Sequence, residues 1–210
     1  MFNINTYNKI TEEIRALEKK TKIIAVSKNH PKESVENALS KGVRIFGENR
    51  VQEAKKKFDV LKKTFTDLEL HLTGPLQTNK VKVAIDLFDV FHTLDREKLA
   101  REFVKAKNLK NKRFFVQVNT GKEANKSGIY PEMLNEFVNY CRYDLSLNIV
   151  GLMCIPPINQ DSKEHFSYLA NHAKKNNLPQ LSMGMSDDYA QAIKMNATYV
   201  RIGTALFGKR

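Results

Sequence analysis

Apolar residues recur along this chain in short unbroken runs, separated by stretches in which they return every three or four positions. Runs rich in Val, Ile, Leu and Phe cover 22–28, 44–48, 68–74, 89–94, 113–119, 148–155, 180–185 and 199–203. Unbroken apolar runs of this length mark strands covered on both faces, as in a parallel sheet. The stretches between them are helical in pattern. Residues 32–41 follow Pro31, a residue suited to the first helical position. Residues 50–63 carry Val51, Ala54, Phe58 and Leu61 at helical spacing. The segment from Asp95 opens on an acid suited to capping and sets Leu99, Phe103 and Ala106 on one face. The segment from Pro131 repeats that pattern, and helices also fit 80–87, 162–176 and 187–196. A further helix over 3–20 precedes the first strand.

Strands that alternate with helices eight times predict an α/β chain folded as a (β/α)8 TIM barrel. The barrel takes up 1–210 as a single domain with an extra N-terminal helix, compact for this architecture. The competing arrangement is an open doubly wound sheet. No G-x-G-x-x-G follows the first strand, which argues against it. No linker, low-complexity tract or internal repeat divides the chain.

The formal charge of +12 raises the question of nucleic acid. The lysines are spread over helix faces (Lys55, Lys56, Lys57, Lys62, Lys63, Lys105, Lys107, Lys174, Lys175), without an RNA-binding aromatic signature or a basic tail. They read as a solvated surface, and no specific nucleic-acid binding is expected. No apolar run is long enough to span a membrane, and the start MFNINTYNKITEEI lacks the features of a signal peptide. Cys141 and Cys154 belong to no C-x-x-C pair and read as buried thiols in a reduced cytosol. A cytoplasmic location is expected.

A barrel of this class carries its chemistry at the C-terminal ends of the strands. In KIIAVSKNHPK the first strand rises to Lys28. RIFGEN offers Glu48 and Asn49, HLTGPLQTNK offers His71, Thr73 and Lys80, and NTGKEANKSG offers Asn119, Lys122 and Lys126. GLMCIPP offers Met153. Gly184 and Ser186 follow the seventh strand, and Gly203, Thr204 and Gly208 follow the eighth. Glycines let backbone N–H groups approach an anion, helix N-termini favour one, and the Ser186 hydroxyl can donate to it. Taken alone, Ser186 reads as a helix N-cap and Lys28 as an exposed lysine at a strand end. Together they suggest a phosphate anchor facing an amine, and an amine can form a Schiff base with an aldehyde. Pyridoxal 5′-phosphate (PLP) carries both groups.

The motifs AVSKNHP, FGENRVQEA, HLTGPLQTNK, NTGKEANKSG, GLMCIPP, LSMGMSDDYAQAI and VRIGTALFG resemble, in order, those of the pyridoxal phosphate homeostasis protein family. Its members resemble the N-terminal barrel of alanine racemase. The resemblance runs from about residue 22 to the C-terminus. It implies that Lys28 carries PLP as an internal aldimine and that Ser186, Gly203 and Thr204 hold the phosphate. It also implies that Arg201 faces the pyridine nitrogen, and that Asn49 and Met153 line the cofactor cavity. The departures are Asn29-His30 after Lys28, where many members have Thr-Lys, and a short segment after Pro157. A cationic guanidinium at the ring nitrogen disfavours its protonation and weakens carbanion stabilisation.

The resemblance implies a PLP-binding protein in cofactor homeostasis and amino-acid and keto-acid balance, without robust catalysis. Delivery to PLP-dependent apoenzymes stays open. The chain ends just after the eighth strand, where alanine racemase continues into a domain that supplies a second acid/base, so two-base racemisation is not expected. The alternative is a weak amino-acid racemase with Tyr7, Tyr130, Tyr189 or His71 as base. A third reading is a phosphosugar enzyme with Glu48 as base and Lys28 as electrophile. The spacing of the five histidines fits no metal site, and His71 and His92 read as strand residues that pack. Lys80 and Lys126 read as solvated loop lysines that can attract an anion. A monomer is expected.

Overall fold

The computed structural model describes residues 1–106 and 108–209; Lys107, one of the helix-face lysines above, and Arg210 lie outside the described residues. The elements alternate as the hydrophobic pattern requires. Helix α1 (Ile4–Ala16) leads into β1 (Lys22–Val26), α2 (Lys32–Ser40), β2 (Ile45–Glu48) and α3 (Val51–Thr64). Then come β3 (Glu69–Leu72), α4 (Val81–Leu87), β4 (Val90–Leu94), α5 (Glu97–Lys105) and β5 (Arg113–Val118). The chain continues through α6 (Leu134–Asn139), β6 (Ile149–Cys154), α7 (Ser162–Lys175), β7 (Gln180–Ser182), α8 (Tyr189–Lys194), β8 (Tyr199–Ile202) and α9 (Thr204–Phe207). The strands pair in sequence order, all parallel, and β1 closes on β8 through the register Lys22↔Tyr199 to Ala25↔Ile202. This is the expected closed barrel.

The hydrophobic core is the layer between strands and helices. Phe46 of β2 meets Phe58 of α3 with ring centroids 5.6 Å apart. Phe91, Phe103 and Phe114 pack β4, α5 and β5 together at centroid distances of 4.8 to 5.3 Å. Cys141 and Cys154 are buried free thiols, as expected.

Some boundaries differ from the sequence pattern for local reasons. α1 stops at Ala16, and Glu18 just beyond it has φ +53. Pro31, with ψ 165, is the extended residue before α2 rather than its first residue. Asp95 does not cap α5: that helix opens at Glu97 after an extended Arg96, and the Asp95 carboxylate accepts from Arg96 instead. The segment at Pro131 starts as a 3-10 turn, and α6 runs into a π-type turn over Tyr140–Asp144.

The barrel interior departs most from an all-apolar reading. An apolar cluster of Ile24, Val26, Val90, Phe115, Met153 and Tyr199 shares it with buried His71, His92, Ser182 and Arg201.

Candidate functional site

Side chains alternate across a strand, so Ile24, Val26 and, beyond the end of β1, Lys28 point the same way. That direction is the barrel axis, since Ile24 and Val26 belong to the interior cluster. At the C-terminal mouth lies a cavity of about 430 Å3 lined by Lys28, Asn49, Ser186, Arg201, Gly203 and Thr204. Of the seven residues that the resemblance assigns to the cofactor, Met153 alone does not line it and sits in the interior cluster. Thr73 is also in the wall, with Val26, Ile155, Met185, Asp187 and His30. All but Thr73 were not anticipated. His30 carried one usable signal, the period-2 step from Lys28, and its ring stacks on Phe207 at 5.3 Å.

The turn that bears Lys28 is clamped from behind. Gly47 faces inward: a Cβ there would come within 2.8 Å of the Ile24 side chain. Its neighbour Glu48 therefore faces outward, against α3. Glu48 Oε1 accepts from the Ser27 hydroxyl and from Lys57 Nζ, each at 2.6 Å. Lys57 also donates to the carbonyls of Ser27 at 2.8 Å and His30 at 3.2 Å, and to Glu53 at 2.8 Å. Glu53 in turn accepts from the Asn29 N–H. Burial pushes the Glu48 carboxyl up despite Lys57. Burial also acts on Glu53, but its bonds from Lys57 and Asn29 outweigh this and lower it. The side chains of β2 and α3 thus hold Ser27, Asn29 and His30, the residues on either side of Lys28. This geometry corrects the reading of Glu48 as a mouth base.

Across the cavity, Gly184 follows β7 with φ +91, and a Cβ there would lie 2.5 Å from Ala192 Cβ. Only glycine suits that bend, which turns the chain toward Ser186. The N-cap of α8 is Asp188, whose carboxylate accepts from the Met185 N–H at 2.6 Å. Ser186 is therefore not the N-cap. It is half-buried and shares the cavity wall with Gly203 and Thr204, which open α9.

Arg201 is 5% exposed. Its Nη1 donates to Ser182 Oγ at 2.8 Å and its Nη2 to the Cys154 carbonyl at 2.9 Å. Burial lowers its pKa, but a guanidinium keeps its charge in the physiological range. Asn49 Oδ1 accepts from the Thr73 hydroxyl at 3.0 Å, which orients the amide at the wall.

Neither Tyr7, Tyr130, Tyr189 nor His71 is among the residues of this wall. His71 is wholly buried lower in the barrel. Lys80 and Lys126 line two neighbouring cavities, both of which share Asn49 with the Lys28 cavity. Lys126 is paired with Glu123 at 2.7 Å. Among the described residues, no group of three or more His, Cys, Asp or Glu side chains could hold a metal ion, and no helix is long and apolar enough to cross a membrane.

The family described as "alanine racemase, N-terminal domain" matches residues 6–210. A pyridoxal phosphate homeostasis protein of Aquifex aeolicus is 40% identical over 200 residues, covering 90% of this chain and 87% of the relative. The chain belongs to the pyridoxal phosphate homeostasis protein family. Its relative of the same description in Escherichia coli K12 is 35% identical over 199 residues, 90% of this chain and 85% of that protein. Among solved structures, PipY of Synechococcus elongatus without PLP superposes with TM-score 0.83 at 33% identity, over 94% of this chain and 99% of that one. PipY with PLP bound gives 0.79 at 32% identity, over 95% and 100%. Alanine racemase of Corynebacterium glutamicum shares the fold at TM-score 0.71 and 15% identity, with 97% of this chain matching 61% of that one.

Proposed function

We propose that this protein binds pyridoxal 5′-phosphate in the Lys28 cavity and serves in PLP homeostasis rather than in robust catalysis. The observation that carries the reading is the convergence of unlike groups on one cavity: a lysine amine, a hydroxyl and glycine-bearing turn, and a buried guanidinium. That set fits the chemistry of PLP group by group, as an aldehyde, a phosphate and a heteroaromatic ring. Relatives described as pyridoxal phosphate homeostasis proteins and the PLP-bound PipY structure support the same reading.

When bound, PLP supplies an aldehyde with which a primary amine can condense, releasing one water. Lys28 supplies the amine, on a turn held at both ends by Lys57 and Glu53. Ser186 would hold the phosphate through its hydroxyl, together with the Gly203–Thr204 backbone and the Thr204 hydroxyl. Asn49 and Thr73 would border the ring, and Met153 would support it from the interior cluster. Arg201 offers only donors, so it can bond an unprotonated ring nitrogen and repels a protonated one. That property favours retention of the cofactor over its use as a full electron sink. In this reading the protein is a monomer in the cytoplasm that exchanges PLP with apoenzymes.

Purified protein incubated with PLP and desalted should keep a visible absorbance band at one PLP per chain. Lys28→Ala should not. Robust alanine racemisation by the loaded wild-type protein would overturn the homeostasis reading in favour of a racemase. A protein that retains no PLP would overturn both.

A further inference from the structure

The polar side chains in the barrel interior form one continuous chain. Arg201 Nη1 lies 2.8 Å from Ser182 Oγ. Ser182 Oγ lies 2.8 Å from His92 Nδ1, and His92 Nε2 lies 2.8 Å from His71 Nδ1. His71 Nε2 lies 2.6 Å from Glu69 Oε1. Glu69 also pairs with Arg113, whose other terminal nitrogen lies 3.3 Å from the Tyr199 hydroxyl. Ser182, His92 and His71 are fully buried. The chain runs from Glu69 and Arg113 at the first residues of β3 and β5, the end opposite the cavity, up to the cavity wall at Arg201.

The two ends dictate a direction. A guanidinium only donates and a carboxylate only accepts. Ser182 Oγ therefore accepts from Arg201 and turns its own O–H to His92 Nδ1. That leaves the His92 proton on Nε2, donated to His71 Nδ1, and the His71 proton on Nε2, donated to Glu69. Every link is used once, and both rings are neutral. A proton added to His71 would put a donor on its Nδ1, facing the His92 Nε2–H, and would force His92 into the other tautomer. Its surroundings oppose this. His71 meets Glu69, His92 and the Tyr199 ring, with Arg113 and Asp89 acting at longer range. Burial outweighs the pull of Glu69 and lowers its pKa. His92 meets His71, Ser182 and the rings of Phe115 and Tyr199. Burial first, then repulsion from any charge His71 would carry and from the Arg201 and Arg113 guanidinium groups, hold it well below the ordinary value. For Glu69, burial pushes up, but the His71 hydrogen bond and the Arg113 charge win and hold it at about 2. The chain ends on a carboxylate that stays ionised and takes up no proton at physiological pH, so it is a fixed row of dipoles and not a proton conduit.

We propose that Ser182, His92, His71 and Glu69 are positioning residues for Arg201, a single one-directional hydrogen-bond chain that locks the guanidinium in place as a donor toward the cavity. The functional half of the proposal rests on the reading of that cavity as the PLP site; the chain itself does not.

The test has two arms. In protein labelled with 15N-histidine, ring-nitrogen NMR of the apo form should report both His71 and His92 as neutral Nε2–H tautomers from about pH 5.5 to 8. His71→Gln and His92→Gln spectra supply the assignments. A charged ring, or an Nδ1–H tautomer at either position, overturns the chain. The second arm compares PLP titrations of the wild type, Ser182→Thr and Ser182→Ala. Removing the acceptor from a charged donor should weaken retention roughly ten- to hundredfold and shift the absorbance band, while the threonine hydroxyl restores both. If the wild type binds PLP and Ser182→Ala matches it in affinity and band position, the positioning role is wrong. A wild type that binds no PLP overturns the cavity reading, and the tautomer measurement still decides the chain.

Discussion

Replacing Lys57 by methionine tests whether the mouth is built from behind. Methionine keeps most of the stem and removes the charge from a side chain that is only 5% exposed. Glu48, itself 0% exposed, would keep the Ser27 hydroxyl and lose its cation, and the Ser27 and His30 carbonyls would lose their shared donor. Breaking a buried pair on one side costs about 3–5 kcal/mol, against a total stability of about 5–15 kcal/mol for a domain. We expect a loss in that range at neutral pH by urea denaturation, with an unchanged m-value. The loss should depend on pH in one direction. The Glu48 carboxyl is already raised from its ordinary 4.5 by burial, and losing Lys57 raises it further. A raised carboxyl holds its proton in the native state after the unfolded state has released it. The penalty is thus small below about pH 4.5 and grows as pH rises through the folded value. The deficit relative to wild type should be larger at pH 8 than at pH 5, and Lys57→Met/Glu48→Gln should recover part of it. PLP retention should fall as well, because the turn around Lys28 loses its clamp. A deficit under about 1 kcal/mol that is the same at both pH values would mean that the cluster behaves as a surface ion pair and does not clamp the turn.

The buried histidines make a second pH prediction. Both folded pKa values lie below the ordinary 6.5, so their contribution is complete above about pH 6.5 and is lost as pH falls. The slope reaches about 2.7 kcal/mol per pH unit for the two together, offset in part by Glu48, and a flat profile between pH 6.5 and 5 in equilibrium unfolding would count against it. Cys141 and Cys154 are both pushed up to about 12 by burial, so a thiol reagent should label neither in the native protein and both in denaturant; rapid native labelling would contradict their placement. Ser186→Ala with Thr204→Val should weaken PLP retention by roughly 1–3 kcal/mol, the scale of lost bonds to a charged group, in a desalting assay. Full retention would move the phosphate elsewhere.

The alternation of apolar runs with helical spacing made the closed barrel legible, and strand order then placed Lys28, Ser186, Arg201 and the Gly203–Thr204 pair around one mouth. Those residues lie at strand ends, where local pattern and topology agree. What stayed hidden depends on barrel closure. Ser182 meets His92 across 90 positions and Arg201 meets Cys154 across 47. A lone histidine within an apolar strand gives no sign that its partner is another histidine one strand away. Lys57 sits in a run of three lysines that reads as solvated surface, yet two carboxylates from different elements draw it inward. Glu48 was within reach of the sequence: Gly47 takes the inward position, and period-2 alternation then sends Glu48 outward. Asp95 misled because an acid before a helical stretch resembles a cap, whereas Arg96 claims its carboxylate.

Attachment of PLP to the Lys28 amine can be tested directly. Loaded protein should be treated with borohydride, digested, and its peptides weighed. One pyridoxyl-phosphate adduct is expected, on the peptide containing Lys28, and none on Lys28→Arg protein treated in the same way. An adduct on another lysine, or undiminished labelling of Lys28→Arg, would contradict it.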